Sequence, residues 1–400
     1  MVSIYTITSE LHDEQSVAHV TAEFLGSLGI EYTLKGADFD DYGKDELSLI
    51  YVRTGGTENV FRSVLQKVLG SRQPVYLLTS GKSNSLAASM EILSFLRQNG
   101  IKGEIIHGSS SYIASRVESL LKIEKARKTL YGKRLGVVGK PSDWLISSAA
   151  DYAAVMEKAG IELIDIDMAE LIAEIGKVQV DKDCALEACG PQILSAEDDV
   201  RDSSEMATAI YYALKNIVSR YSLNGLTLRC FDLLTAVRNT GCLALAKLNS
   251  EGIVSSCEGD IPTLLSMLIA DALTGVSGFQ ANPSRINPET GEVVFAHCTI
   301  PFNMVESYVY DTHFESGIGV GIRGKVAEGP VTVFKVSGNL GRYFAEEGTL
   351  VKNLCEADLC RTQVVLHLAS TDYFLKNPIG NHHVIVPGHC AKEFAGLLEM

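Results

Sequence analysis

Over the first 130 residues, short runs of consecutive apolar and β-branched side chains alternate with longer stretches whose apolar positions recur every three or four residues. Residues 2–7, 47–52, 75–79 and 101–106 are runs of the first kind and predict buried strands. Between them, 14–28 places Val17, Val20, Phe24 and Leu28 on one helical face. Residues 57–69 and 83–98 read the same way, the latter stopping at Gly100. This alternation predicts a doubly wound parallel-sheet α/β domain over 1–131. After a charged helix ending near Leu130 the pattern restarts, with strands at 133–139 and 161–166 around a helix at 147–159. A helix at 204–221 and strands at 226–230 and 252–257 complete a second doubly wound parallel-sheet domain, 132–279. The acidic, poorly periodic stretch 176–204 reads as a long surface connection. From about residue 280 helical periodicity nearly vanishes until Ala391, and strand-like runs at 292–300, 317–322, 331–337, 363–368 and 384–386 alternate with Gly-rich turns. Residues 280–400 are therefore expected to form a β-rich domain, a small barrel or sandwich.

Composition narrows the function classes. The 400 residues are 46% hydrophobic and 21% charged, enough for two or three packed cores. A formal net charge of −14 without clustered Lys and Arg excludes a broad nucleic-acid surface. The chain lacks a basic segment followed by an apolar one at its start, and lacks any uninterrupted apolar stretch of about 18 residues, so a cytoplasmic protein without a membrane partner is expected. Its nine cysteines show no Cys-x-x-Cys pair, and Cys184/Cys189 and Cys355/Cys360 are five apart, which is not a zinc spacing without partnering histidines. Reduced, mostly buried thiols are expected.

Ligands gather outside the carboxyl ends of strands in α/β domains, and three such places stand out. Thr54-Gly55-Gly56-Thr57-Glu58 is a tight turn or a ligand loop, with Thr57 able to cap the next helix. Gly139-Lys140-Pro141-Ser142-Asp143-Trp144 holds the only tryptophan, suited to a sugar face or to core packing. Ser255-Ser256-Cys257-Glu258-Gly259-Asp260 sets two carboxylates between a strand and the apolar helix that follows, Asp260 reading first as the helix cap. Further on, His297 ends an apolar strand and His382-His383 precede another. With Glu258 these histidines offer carboxylate and imidazole donors suited to a divalent transition ion.

At these residues the chain resembles the L-fucose/L-arabinose isomerase superfamily, in particular its shorter fucose isomerase-like branch. The likeness lies in Glu258-Gly259-Asp260 before an apolar helix, the strand bearing His297, and the late Asn381-His382-His383. Thr312-His313-Phe314-Glu315-Ser316-Gly317, Gly55-Gly56-Thr57-Glu58 and Asn84-Ser85-Leu86 also look like segments of that group. The resemblance implies a metal-dependent aldose–ketose isomerase acting on a sugar or modified sugar through an enediol. It implies a divalent ion, Mn²⁺ first, held by Glu258, His297 and one of His382 or His383, with His383 slightly preferred and Glu258 also a proton-transfer group. It also implies a homo-oligomer, a hexamer, in which Thr57 and Glu58 serve a neighbour's site. Where the group carries its second carboxylate, in the loop after the helix, this chain reads Phe279-Gln280-Ala281-Asn282-Pro283-Ser284 and places there Asn282, whose amide can offer an oxygen to a metal but cannot act as a base near neutral pH. Asp260 or Glu315 could supply the missing base, and Trp144, Arg285 and Glu315 are the candidate sugar contacts, Arg285 for an anionic sugar. The alternatives are a metal-dependent lyase or epimerase using the same enediolate, or a non-catalytic sugar-binding protein with a degenerate site.

Overall fold

The computed structural model of the chain describes residues 1–71, 73–180 and 198–399. They fall into two compact units, Met1–Lys128 joined by the carboxyl-terminal residues from Ala395, and Thr129–Phe394. Among the described residues no helix is long and apolar enough to cross a membrane. Cys184 and Cys189, and most of the acidic stretch 176–204, lie outside the described residues.

The first unit is built on a five-stranded parallel sheet of β1 (Val2–Ile7), β2 (Tyr32–Gly36), β3 (Leu47–Val52), β4 (Val75–Thr79) and β5 (Gly103–Ile106). The spatial order is β2-β1-β3-β4-β5, every pair parallel. The central strands β1, β3 and β4 are buried along their whole length, which is why they read as predominantly apolar, β-branched runs. Tyr5, Phe39 and Tyr42 pack with Phe61, Leu77 and Leu96 in the core. Helices Glu14–Ser27, Glu58–Leu69 and Ser85–Gln98 follow the predicted stretches. Strand β2, a half-exposed edge, was absent from the hydrophobic pattern because only one side of it is paired and little of it is buried.

The second unit opens with a four-stranded parallel sheet of β6 (Arg134–Val138), β7 (Glu162–Ile166), β8 (Gly225–Leu228) and β9 (Val254–Cys257), in the order β7-β6-β8-β9. Its helix Asp198–Tyr221 starts earlier than the periodicity suggests. Beyond it, β10 (Phe279–Asn287), β11 (Glu292–His297), β14 (Gly329–Val336), β15 (Tyr343–Asn353), β16 (Thr362–Leu368) and β17 (His383–Pro387) close an antiparallel barrel in the order β10-β11-β16-β15-β14-β17. The intervening β12 (Ser307–Asp311) and β13 (Gly321–Lys325) form a separate two-stranded sheet. The fold is thus two parallel-sheet α/β parts followed by a β barrel.

Phe279–Ser284, read as a loop, opens strand β10, with Pro283 at a register shift between β10 and β11. A proline cannot donate to a ladder and is tolerated at such an irregularity, so the residue that made the segment look loop-like sits at its bulge.

Candidate functional site

The strand order of the second sheet reverses between β6 and β8, and the loops leaving the carboxyl ends of β6, β8 and β9 carry Trp144, Phe231 and Glu258. Glu258 has a left-handed backbone, φ 65°, followed by Gly259 at φ 71°. For a residue with a Cβ this costs about 1 to 3 kcal/mol and persists only where the surroundings enforce it. They do so on both sides: Ser142 N donates to Glu258 O at 2.9 Å and Gly259 N to Leu228 O at 3.0 Å. A Cβ on Gly259 would lie 2.5 Å from Lys140 O, so only glycine lets the two loops approach this closely.

Asp260 caps helix Ile261–Thr274, accepting from Thr263 N at 2.9 Å. The helix is buried from Ile261 to Ala270 and lies against the barrel, where Ser266 Oγ accepts from Val336 N at 3.0 Å. Gln280 on β10 makes the other junction, its side-chain oxygen accepting from Cys257 N at 2.8 Å. These contacts bring barrel residues to the end of β9.

Two barrel histidines meet Glu258 there. His382 Nε2 is 3.4 Å and His297 Nε2 3.7 Å from Glu258 Oε1, and the three ligand atoms lie within 4.8 Å of one another. His382 Nδ1 pairs with Asp260 Oδ2 at 2.9 Å, while its Nε2 is buried without a hydrogen-bond partner. A carboxylate on one imidazole nitrogen fixes the tautomer so that the other presents its lone pair, which is the usual support of a metal-binding histidine. An orphaned buried nitrogen aimed at a carboxylate and a second imidazole therefore fits a divalent ion. His383, by contrast, turns its Nδ1 to Asn381 O at 2.9 Å and its Nε2 to Tyr373 Oη at 3.0 Å, inside a box of Phe295, Phe344, Tyr373 and Phe374. Adjacent residues entering a strand face opposite ways, so only His382 reaches Glu258.

Electrostatics follow the geometry. Burial opposes ionisation of Glu258, but His382 and His297 outweigh it and hold the carboxyl well below the usual carboxylate range. Asp260 is likewise held low against its burial, by Lys335 and His382. Burial works against the charged form of His382, yet Glu258 and Asp260 push it up to about 9. Burial lowers His297, with Glu258 opposing. Lys335, fully buried, donates to Thr263 Oγ1 at 2.6 Å and lies 3.5 Å from both Asp260 oxygens. Its signal in the sequence is a lone lysine inside the largely apolar strand segment Val-Thr-Val-Phe-Lys-Val.

The other sequence candidates separate into those at this cluster and those away from it. Trp144 Nε1 donates to Glu258 Oε2 at 2.7 Å and its ring meets Phe231 edge-on at 4.7 Å. Phe231 in turn meets His313 at 5.4 Å, and burial and His297 lower His313 to about 4. Glu315, on the same β12–β13 connection, is raised by burial and by the charge of Glu258. Asn282 Oδ1 accepts from Asn381 Nδ2 at 3.0 Å, beside His382 in the chain. Arg285 is exposed and paired with Glu356 at 2.7 Å. Thr57 and Glu58 stand in the first unit at the end of the β3 loop. The expected cap by Thr57 is not made: its Oγ1 donates to Thr54 O at 3.1 Å instead of accepting from the helix.

Fold and site together define a class: an α/β chain with a terminal antiparallel barrel, in which one carboxylate and two imidazoles converge where sheet and barrel meet. No protein-family model matches the chain. It is 25% identical over 246 residues to sulfoquinovose isomerase of Alkalicoccus urumqiensis, an alignment covering 59% of this chain and 52% of that protein. It is 26% identical over 284 residues to sulfoquinovose isomerase of Priestia aryabhattai, covering 69% and 62%. A third relative of the same name, from Clostridium sp. (strain MSTE9), is 25% identical over 190 residues, covering 46% and 42%. The chain spans about half to three-fifths of the length of the first two relatives.

Proposed function

We propose that this chain is a metal-dependent aldose–ketose isomerase acting on a sugar or modified sugar through an enediol. The observation that carries the reading is the convergence of Glu258 Oε1 with the Nε2 atoms of His297 and His382, one of them orphaned. One carboxylate and two imidazoles suit Mn²⁺ or a similar first-row ion, with Glu258, His297 and His382 as its ligands. Such an ion, when bound, polarises a sugar carbonyl as a Lewis acid.

The chain's own residues supply orientation and proton movement. Asp260 has both oxygens committed, to Thr263 N and to His382, with Lys335 beside them, so in this reading it orients His382 and moves no proton. Glu315 takes the role of second base: partial burial and the charge of Glu258 raise its carboxyl, so it accepts a proton more readily than a free carboxylate. Asn282 holds Asn381, and its neutrality in place of a carboxylate lowers the electrostatic cost of an anionic sugar. The names of the relatives make sulfoquinovose the first substrate to test, beside neutral pentoses and hexoses. A homo-oligomer, with Thr57 and Glu58 serving a neighbour, belongs to the same proposal.

The test is exchange of the substrate's C2 proton with D₂O, followed by NMR on Mn²⁺-loaded protein. Exchange in the wild type and its loss in Glu258→Gln are expected. A protein that binds no divalent ion and exchanges no proton with any of these sugars would refute the proposal. Asn282 favours one second reading, an epimerase or lyase that uses the same enediolate without the usual second carboxylate. Product analysis separates them: isomerisation moves the carbonyl from C1 to C2 on an intact carbon skeleton, epimerisation leaves an aldose inverted at C2, and cleavage breaks the skeleton.

A further inference from the structure

We infer that Trp144 is a positioning residue for Glu258, its indole N–H holding one carboxylate oxygen so that only the other faces the two histidines. The inference rests on reading Glu258 as a metal ligand. Its basis is the division of the carboxylate: Oε2 accepts from Trp144 Nε1 at 2.7 Å, while Oε1 lies 3.4 Å from His382 Nε2 and 3.7 Å from His297 Nε2. The first distance falls in the range of strong bonds to an ionised acceptor. An indole N–H is a donor only, so it can neither ligate a metal nor shuttle a proton, and orientation is the role its chemistry allows.

The surrounding loop is built to hold this contact. Glu258 is tied to residues 140–145 twice, through Trp144 to its side chain and through Ser142 N to its backbone carbonyl at 2.9 Å. The loop is clamped by Arg229, whose guanidinium donates to Pro141 O at 2.7 Å and to both Asp143 oxygens at 3.2 and 2.9 Å. Phe231 stands edge-on to the indole. Trp144 is nevertheless 51% exposed, a poor return for a residue whose only task is packing. A tryptophan that leaves half its surface in water while reaching 114 positions along the chain to a nearly buried carboxylate is there for its N–H. With Oε2 so held, Glu258 would offer an ion a single oxygen.

The chain has one tryptophan, and this makes the inference testable without disturbing the fold. Producing the protein in a tryptophan auxotroph fed β-(3-benzothienyl)alanine exchanges the indole N–H for sulfur and keeps the ring. Trp144→Phe removes the same donor genetically. Mn²⁺ binding is read by electron paramagnetic resonance of the free ion and, in the wild type, by quenching of Trp144 fluorescence. Both replacements are expected to weaken the Mn²⁺ Kd by about 10- to 100-fold, the usual effect of removing a group that orients a ligand. Wild-type quenching should saturate with the bound ion and be absent in Glu258→Gln. An unchanged Kd in the benzothienyl protein overturns the inference and leaves the isomerase reading standing. Wild-type protein that binds no Mn²⁺, Co²⁺ or Zn²⁺ overturns the metal reading and this inference with it.

Discussion

Asp260→Asn probes the buried polar cluster beneath the site most directly. Asp260 is fully buried and Lys335 is 1% exposed, and the aspartate serves three partners: Thr263 N, His382 Nδ1 and the Lys335 ammonium. Asparagine is itself a good helix cap, so the capping contribution of about 1 kcal/mol is largely kept. What is lost is the carboxylate that pairs with Lys335, leaving its ammonium with the Thr263 hydroxyl. Removing one partner of a buried pair costs about 3 to 5 kcal/mol, because the other charge stays desolvated and uncompensated. Adding Lys335→Met removes that stranded charge and should recover at least about 2 kcal/mol, a coupling within the range for residues in contact. The assay is equilibrium urea unfolding of metal-stripped protein, so that ion binding does not contribute, followed by fluorescence of Trp144, which reports on the second unit. A loss below about 1 kcal/mol in Asp260→Asn, or strict additivity in the double variant, would refute the reasoning.

Three further outcomes are expected. His382→Gln should abolish Mn²⁺ binding in a titration while preserving the fold, whereas His383→Gln should retain binding and lower stability by about 1 to 3 kcal/mol, because it disturbs a buried, doubly bonded imidazole. Gly259→Ala should destabilise by more than about 1 kcal/mol in the same urea assay, since it combines a positive φ with a Cβ driven against Lys140 O. In the metal-stripped protein His382 is raised from 6.5 to about 9, so its stabilising contribution is complete below pH 6.5 and is lost as pH rises through about 9. The thermal midpoint in EDTA should therefore fall over that interval, and a midpoint that falls equally in His382→Gln would assign the effect elsewhere.

What was legible follows from what burial does to a sequence. Strands covered on both faces are mostly apolar and β-branched, and β1, β3 and β4 could be delimited from their residues even with Ser3, Thr6, Ser48 and Thr79 buried among them. Strands that are half wet carry no such mark: the edge strand β2 and the half-buried β15 become strands only through their partners. Strand β10 was hidden by Pro283, whose tolerance depends on a register shift that no local pattern announces. The thiols expected to be reduced and mostly buried are free at all seven described positions, with Cys230, Cys242, Cys257 and Cys298 buried.

The sequence by itself determined the chemical inventory of the site: a carboxylate after a strand, a capping aspartate, late histidines, one tryptophan and an amide at position 282. Local rules suffice for these, since a strand end, a helix start and a donor type are properties of a few consecutive residues. Only the tertiary structure decided which of them meet. It chose His382 over His383 because neighbouring residues face opposite ways, brought Lys335 under Asp260 across 75 positions, and set Trp144 on Glu258 while Arg285 was taken by Glu356. Convergence depends on how sheet and barrel pack, and that is settled by burial summed over the whole second unit, which no short window of sequence contains.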